Sequence, residues 1–332
     1  MSVERTGGRE LLGIHHVTAI AGDPQENIDF YVRRLGLRLV KKSVNQDDPS
    51  TYHLFYADGA GNPGTDLTFF PSPNAPRGRP GAGQAISVAF AVPERSLSYW
   101  IARLRESGVP LSGPRARFDE EVVAFSDPHG LSLELVASAE TEHRQPWAAW
   151  EDGPIPPQHA IRGIHAVTLE EAALDPTSAF LTGTLGFRRL REAGGRVRHG
   201  VGGGGSGALL DLLARPDEPP GRIAVGTIHH VAWRTPNADE QERWWEEIQA
   251  LGLPHSPIID RFWFRSIYFR EPGTVLFEIA TDGPGFSVDE REEDLGGRLI
   301  LPPWLEPDRQ QIEASLPPIT LPEETVGRGA RD

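Results

Sequence analysis

The tetrapeptide Ile-His-His-Val occurs twice in this chain, at residues 14–17 and at residues 228–231. Both copies begin a short apolar run that is typical of a β-strand, and both are followed by a segment with the spacing of an amphipathic helix. A phrase repeated near the two ends of one chain indicates that the fold is built from copies of a small structural unit. This repeat restricts the architecture more than any other feature of the sequence.

Four segments of the chain share the repeat. In each of them a predicted helix ends at a glycine, the residue that most easily adopts the left-handed conformation that closes a helix. These glycines are Gly36, Gly108, Gly186 and Gly252. They follow a fixed position of the first strand by 20 residues in three units and by 22 in the fourth, and that position is held by His16, Val88, Ala166 and His230. The nearly constant spacing predicts four equivalent units.

After each glycine come short apolar or alternating runs separated by turn residues, so each unit is predicted to have the order βαβββ. We therefore predict an α+β fold in which four βαβββ units form two half-open β-barrel modules. Residues 1–143 would hold units one and two, and the proline-rich stretch 144–160 would be a linker. Residues 161–285 would hold units three and four, followed by a C-terminal extension over 286–332.

The composition argues against several kinds of function. A net charge of −14 disfavours binding to nucleic acids or to anionic membranes, since both need cationic surfaces. The absence of cysteine excludes disulfides, thiolate metal sites and cysteine nucleophiles. Because the sequence has neither an apolar run of about 18 residues nor a signal-peptide pattern, we expect a soluble cytoplasmic protein.

The two histidines of each repeated phrase differ in their distribution among the units. The first slot holds His15, His165 and His229 in three of the four units, which is compatible with a packing role. The second slot holds histidine only at His16 and His230. Neighbouring residues of a strand point to opposite faces of the sheet, so the two slots should have different roles.

The last strand of each unit provides another diagnostic position. It is occupied by Phe69, Glu134, Asp211 and Glu278. If units one and four share a barrel, His16, His230 and Glu278 come together, with Phe69 in the fourth place, whereas the other pairings gather at most one histidine. Two histidines and one carboxylate form the metal site of non-haem iron(II) oxygenases, and manganese(II) accepts the same ligands. From the pattern alone, the histidines could instead be packing residues of the core.

Longer segments of the chain resemble a known family. GIHHVT at residues 13–18, GTIHHVAW at 226–233 and PGTVLFEIATDGPGF at 272–286 look like the vicinal oxygen chelate superfamily. This superfamily includes glyoxalases, bleomycin resistance proteins and extradiol dioxygenases. Within it, the chain resembles the ring-cleaving dioxygenases of hydroquinones and chlorohydroquinones over essentially its whole length.

The resemblance implies an enzyme in which His16, His230 and Glu278 hold iron(II), with a small aromatic substrate and O₂ as reactants. It also places the family's active-site tyrosine at Tyr268 and its arginine at Arg261, and it implies a homodimer. More familiar extradiol enzymes carry their metal ligands in units three and four. Unit three has an alanine at the ligand position here, so that arrangement does not apply.

Two residues in or directly before the predicted strand FWFRSIYFR (262–270) are candidates for roles beside the metal. Tyr268 is the best candidate for a catalytic proton donor, because it alternates in phase with Ser266 and Phe264. Arg261 could hold an anionic oxygen of the substrate or product. The alternatives are a tyrosine of the core and an arginine that pairs with Asp260 on the surface.

His229 is a further catalytic candidate because histidine titrates near neutral pH, although strand alternation would turn it away from the metal. Several aromatic residues are candidates for the substrate pocket, with core packing as the alternative for each of them. They are Phe69, Trp233, Phe262 and Phe264.

Two other functions of the same fold stay open at this point. In glyoxalase-like isomerases and lyases, four protein side chains bind the metal. Phe69, in the fourth position here, cannot bind a metal. Non-catalytic binding proteins of the bleomycin-resistance type lack a complete metal triad. We therefore expect a non-haem iron(II) dioxygenase that opens hydroquinone-type rings, with a glyoxalase-like enzyme or a resistance protein as the alternatives.

Overall fold

The computed structural model describes residues 10–142 and 144–321. Within these ranges, sixteen β-strands form two eight-stranded sheets, and helices pack against both. The predicted α+β fold with two half-open β-barrels is confirmed. Residues 1–9, 143 and 322–332, which belong to the predicted first half and C-terminal extension, lie outside the described residues.

The strands follow the predicted order of one strand, a helix and further strands in every unit. They are β1 (Ile14–Ala21), β2 (Arg38–Asn45), β3 (Asp48–Ala57), β4 (Asp66–Pro71), β5 (Gln84–Val92), β6 (Leu111–Arg117), β7 (Glu120–Ser126), β8 (Ser132–Ala137), β9 (Ile164–Glu171), β10 (Arg188–Ala193), β11 (Arg196–Gly200), β12 (Leu209–Ala214), β13 (Ile228–Thr235), β14 (Ile259–Asp260), β15 (Arg265–Arg270) and β16 (Leu276–Thr281).

The α-helices are short. They are α1 (Pro24–Ile28), α2 (Leu97–Glu106), α3 (Ala139–Glu142), α4 (Leu174–Gly183), α5 (Ala238–Ala250) and α6 (Arg309–Ser315). Helix α1 continues as a π-helix over Asp29–Arg34, and 3₁₀ turns occupy Glu94–Ser96, Phe286–Val288, Glu292–Asp294 and Glu306–Asp308. Among the described helices, none combines the length and the apolar character needed to cross a membrane.

Units one and four contribute to one sheet, and units two and three to the other. The strand order is β14-β15-β16-β13-β1-β4-β3-β2 in the first sheet and β10-β11-β12-β9-β5-β8-β7-β6 in the second. The two units of each sheet meet through antiparallel first strands, β1 with β13 and β5 with β9. Each first strand also pairs in parallel with the last strand of its own unit. The first and last strands of both units therefore lie together at the centre of the sheet.

The glycine at the end of each unit's helix has the backbone conformation that the spacing predicts. The φ angles are 70° at Gly36, 69° at Gly108, 77° at Gly186 and 68° at Gly252. An L side chain is strained in this left-handed region, whereas glycine is not. The repeated glycine therefore turns the chain from the helix back into the sheet in all four units.

The two faces of the first sheet differ in character. Val17 and Ala19 of β1 belong to the apolar core, to which the unit-one helix contributes Tyr31. His16 and Thr18 alternate with them and point to the opposite face. That opposite face carries the polar residues of the candidate site.

The C-terminal extension packs on the strands of unit one. Lys41 of β2 is fully buried, and its ammonium group donates to the carboxylates of Asp289, at 2.7 Å, and Glu290. Farther along, the hydroxyl of Tyr52 donates to the carbonyl of Pro317 at 3.0 Å. These contacts fix the extension beside the first sheet.

Candidate metal centre

Three neighbouring strands bring two histidines and one glutamate to the same face of the first sheet. In the antiparallel pair β1–β13, His16 lies opposite Ala232, and Thr18 lies opposite His230. In the parallel pair β13–β16, Glu278 lies beside Ala232. Because residues two apart on a strand share a face, the side chains of His16, His230 and Glu278 converge.

The candidate ligand atoms of this triad form a nearly equilateral triangle. Nε2 of His16 is 3.2 Å from Nε2 of His230. Oε2 of Glu278 is 3.3 Å from the nitrogen of His16 and 3.0 Å from that of His230. Metal–ligand bonds of about 2.1 Å that meet at right angles leave their ligand atoms about 3.0 Å apart. The triangle therefore has the dimensions of three ligands on one face of a six-coordinate cation.

The charge of Glu278 also fits a cation at this position. Burial alone would raise the pKa of Glu278, but the adjacent His16 and His230 hold it well below its ordinary value, so the carboxylate is ionised. Ser266 donates a hydrogen bond of 2.6 Å to Oε1. Oε2 is buried and has no hydrogen-bond partner among the described residues. A buried ionised oxygen without a donor is stabilised by a cation, and a divalent metal fits this set of ligands.

The preceding histidines are the hydrogen-bond partners of His16 and His230. Nε2–H of His15 donates to the carbonyl of Thr281 at 3.1 Å, so Nδ1 of His15 accepts from Nδ1–H of His16 at 2.8 Å. His229 and His230 have the same distance of 2.8 Å between their Nδ1 atoms. Burial lowers the pKa of His15 and of His229 to about 3, so both rings are neutral and each has one nitrogen that can accept a hydrogen bond. When His16 and His230 are neutral and each donates from Nδ1 to the preceding histidine, Nε2 is the nitrogen that is left to bind a metal.

Tyr268 lies beside the triad. It is the partner of Glu278 in the β15–β16 pair, and its ring centroid is 5.6 Å from that of His230. Its oxygen accepts a hydrogen bond of 3.3 Å from Nε of Arg261, which leaves its own hydroxyl proton for another acceptor. Burial and the charge of Glu278 raise the pKa of Tyr268, so the hydroxyl stays protonated at neutral pH.

Arg261 pairs with Asp47 rather than with Asp260. Its Nη1 and Nη2 donate to the two carboxylate oxygens of Asp47 at 3.2 and 2.8 Å. Two parallel hydrogen bonds fix the plane of a guanidinium group. Since the remaining Nε–H contacts Tyr268, Arg261 orients the tyrosine hydroxyl.

A cavity opens next to the triad. The inner chamber has a volume of about 40 Å³ and is lined by His16, Asn45, Gln46, Asp47, His53, Phe55, Phe70, His230, Arg261, Trp263, Phe264 and Tyr268. An outer cavity of about 540 Å³ shares His230 and Tyr268 with it and extends past His229. A benzene-sized ring occupies a cavity on the order of 150 Å³. An aromatic ligand with one oxygen at the triad would therefore extend from the inner chamber into the outer cavity.

Phe69 does not occupy the fourth position of the site, contrary to the prediction. It is fully buried on the opposite face, where its ring centroid is 4.6 Å from that of Tyr31. The strand register assigns the position equivalent to the triad glutamate to Thr68 instead. The hydroxyl of Thr68 is hydrogen-bonded to Thr18 at 2.8 Å and to His53 at 2.9 Å. The fourth position therefore still lacks a carboxylate.

The other aromatic candidates have different positions. Phe264 lines the inner chamber, with its ring centroid 5.2 Å from that of His16. Trp233 was expected in the pocket, but strand alternation buries it on the opposite face, 4.9 Å from the ring of Phe187. Phe262 lies before β15 with a φ of 73° and is absent from the described lining of both chambers.

The second sheet has a different set of residues at the equivalent positions. The β5–β8 register assigns the histidine position of unit two to Ser87 rather than to Val88, because Ala89 lies beside Glu134 as Ala232 lies beside Glu278. Unit three has Ala166 there, as predicted from the spacing. In the described parts of the chain, the triad is the one close group of three metal-ligand side chains.

His53 is a cavity residue that the sequence patterns did not indicate. Its ring centroid lies 3.8 Å from that of Phe55 and 4.5 Å from that of Phe70. Burial, together with the triad histidines, lowers the pKa of His53 well below its ordinary value, so the ring is neutral. The sequence offers one signal, the alternation of His53 with Phe55, but only the sheet order shows that β3 borders the site.

Comparisons with known proteins agree with this geometry. The sequence profile described as "Glyoxalase/Bleomycin resistance protein/Dioxygenase superfamily" matches residues 13–135 and 163–279. "Putative ring-cleaving dioxygenase MhqO" of Bacillus subtilis is 43% identical over 315 residues, which cover 95% of this chain and 99% of that protein. "Chlorohydroquinone/hydroquinone 1,2-dioxygenase" of Sphingobium indicum is 33% identical and covers 90% of this chain and 94% of its own length.

Solved structures give the same result. The crystal structure of a "putative dioxygenase" from Bacillus subtilis has a TM-score of 0.88 and 42% identity, covering 95% of this chain and 99% of that one. Glyoxalase I from Zea mays, at 16% identity and a TM-score of 0.59, covers 81% of this chain and 92% of its own, and shares the fold alone. The chain belongs to the glyoxalase/bleomycin resistance protein/dioxygenase superfamily and is a ring-cleaving dioxygenase within it.

Proposed function

We propose that this enzyme opens hydroquinone-type rings with O₂ and uses iron(II), or alternatively manganese(II), held by His16, His230 and Glu278. The observation that carries the proposal is the triangle of two imidazole nitrogens and one carboxylate oxygen, with Thr68 where a fourth protein ligand would stand. Three protein ligands leave coordination positions for a substrate oxygen and O₂. The 33% identity to the Sphingobium hydroquinone dioxygenase supports the substrate class.

When bound, iron(II) would supply Lewis acidity towards a phenol oxygen and a path for electrons between the ring and O₂. The protein would hold and orient the substrate. Tyr268 donates its hydroxyl proton in a hydrogen bond to a ring oxygen, and Arg261 keeps that hydroxyl in place. His229 lines the outer cavity with its second ring nitrogen available to donate to the substrate.

A para-dihydroxy ring cannot chelate one cation, because its two oxygens lie at opposite ends of the ring. One oxygen would occupy the inner chamber beside the triad, and the other would lie in the outer cavity. There His229 and Arg261 offer donors and Asp47 offers an acceptor. Phe264 and Phe55 would border the ring in the inner chamber.

Metal analysis after anaerobic purification, followed by oxygen uptake with a panel of dihydroxybenzenes, tests the proposal. We expect one iron per chain and one O₂ consumed for each ring opened, with hydroquinones preferred over catechols. His230→Ala should lose both metal and activity, because two remaining ligands hold the cation weakly. His165→Ala is the matched control, since His165 belongs to the second sheet and is hydrogen-bonded to Glu120 at 2.9 Å.

Two results would contradict the proposal. Unchanged metal content in His230→Ala would reject the triad as the metal site. An iron-loaded enzyme that consumes no O₂ with any hydroquinone or catechol, yet isomerises a thiol adduct, would identify a glyoxalase-like reaction instead.

A further inference from the structure

The second sheet contains a cavity at the position that corresponds to the metal centre of the first sheet. Its volume is about 480 Å³, which is within the range of small-molecule sites. The lining residues are Ile86, Ser87, Arg115, Ala116, Arg117, Phe118, Ser132, Glu134, Thr168, Ala193, Gly194, Arg196, Leu213 and Arg215. The histidine positions of the repeat hold Ser87 and Ala166, so this cavity has no equivalent of the metal triad.

Arginines take the place of the metal as partners of the acids in this sheet. Glu134 accepts hydrogen bonds from both terminal nitrogens of Arg117, and the bond from Nη1 is 2.6 Å long. It accepts a third hydrogen bond, of 3.1 Å, from Arg115. The oxygens of Asp211 accept from Nε and Nη2 of Arg198 at 2.8 and 3.0 Å, and from Arg196 at 2.9 Å. Each acid thus has one bidentate guanidinium partner and a second arginine in addition.

The arginines exceed the acids that neutralise them. Arg198 also pairs with Glu120, so four guanidinium groups share three carboxylates. Nη1 of Arg196 donates to Thr168 and to Asp211. Among the described residues, Nε and Nη2 of Arg196 have no hydrogen-bond partner. Only 14% of the Arg196 side chain is exposed, and burial lowers the pKa of this arginine. Neither Nε nor Nη2 of Arg196 is among the buried atoms that lack a partner, so both reach the cavity, where an anion can accept their hydrogen bonds.

We propose that this cavity binds a small organic anion with two carboxylate groups. Arg115 and Arg196 approach the cavity from β6 and β11, which lie towards opposite ends of the strand order. Since both guanidinium groups line the same cavity, a ligand with two carboxylates has one arginine for each of them. Ser87 and Thr168 add hydroxyl groups, and Ile86, Phe118 and Leu213 provide apolar contacts for the carbon chain.

Calorimetric titration of the metal-loaded enzyme with maleate at low ionic strength tests the proposal. We expect saturable binding that weakens as salt is added, because the attraction is between charges. Arg115→Ala and Arg196→Leu should each weaken binding at least tenfold, since each removes a charged donor. Both variants retain the bidentate partners of Glu134 and Asp211, and thermal unfolding would verify that they fold.

Two controls separate this cavity from other cationic sites. Arg95→Ala, at an exposed position of unit two outside the cavity lining, should bind maleate as the unaltered enzyme does. His230→Ala should also retain binding, which excludes coordination of maleate by the metal. The proposal fails if millimolar maleate gives no saturable binding, if both cavity variants bind with unchanged affinity, or if inorganic phosphate binds as tightly as maleate.

Discussion

Tyr268→Phe isolates the hydroxyl group that we place against the substrate. The substitution removes one oxygen and keeps the ring that packs near His230. Arg261 loses a hydrogen bond of 3.3 Å but keeps both bonds to Asp47, at 2.8 and 3.2 Å. Neither the core nor the arginine is therefore left with an uncompensated charge. The change in rate then reports the hydrogen bond from the hydroxyl group to the reacting molecule.

The expected magnitude follows from the surroundings of that hydroxyl group. Removing one preorganised donor from a site that excludes water typically costs about 2.7–4 kcal/mol, or 10²–10³ in kcat. The donor atom of Tyr268 is not part of the ligand triangle, so bound iron should be unchanged. Because burial and Glu278 raise the pKa of Tyr268, the hydroxyl should act as a protonated donor throughout the neutral range.

Oxygen uptake at saturating hydroquinone would give kcat, and atomic absorption would give the iron content of the same sample. Tyr52→Phe is the matched control, because the Tyr52 hydroxyl contacts Pro317 of the extension and lies outside both chambers of the cavity. That control should lose only about 1 kcal/mol of stability and retain its kcat. If kcat of Tyr268→Phe falls by less than about threefold, instead of the expected 10²–10³, Tyr268 is not the proposed hydrogen-bond donor. Loss of iron from this variant would also refute that role.

Three further outcomes are expected from the geometry. Ser266→Ala removes the 2.6 Å hydrogen bond to Glu278, so metal affinity, measured in competition with a chelator, should fall about 10–100-fold. Unchanged affinity would show that this hydrogen bond does not orient the Glu278 carboxylate. In the metal-free enzyme, burial opposes protonation of His16 but Glu278 raises its pKa above the ordinary value. Metal must displace that proton, so affinity should fall by up to about tenfold per pH unit as the pH decreases below that pKa; a pH-independent metal titration would contradict this. Lys41→Ala leaves two carboxylates without their buried cation, and urea denaturation should show a loss of about 3–5 kcal/mol.

The sequence was sufficient to predict the repeat and the convergence of its key residues. Simple alternation failed at His15 and His229, because a register shift at each of them brings its Nδ1 within 2.8 Å of the next histidine. The four helix-ending glycines, in contrast, kept the units in register, and the alternation after His16 assigned Val17 to the core. Both signals are local, since each depends on the backbone geometry of one strand or one helix end. The same rule applied to Trp233 would have placed it on the core side of β13, because it follows a cavity-facing residue by one position.

Thr68 and Ser87 could not be assigned from spacing alone. In unit one, an additional stretch between the helix and β4 breaks the count. In unit two the slot lies 21 residues before Gly108, so a count of 20 gives Val88 instead of Ser87. A displacement of one residue exchanges the two faces of a strand, so Phe69 was assigned to the wrong face. Only the hydrogen-bonded register between strands determines which residue faces the cavity.

The two sheets show two ways to stabilise a carboxylate on a buried strand. Glu278, Glu134 and Asp211 occupy equivalent positions in the last strands of their units, and each would be costly there without an opposing charge. The first sheet leaves one oxygen of Glu278 without a donor and directs two imidazole nitrogens towards it. The second sheet encloses its acids with guanidinium groups, whose positive charges would repel a metal ion from the same place. The histidines and arginines of each sheet, rather than the shared acid position, therefore determine whether the repeat binds a cation or an anion.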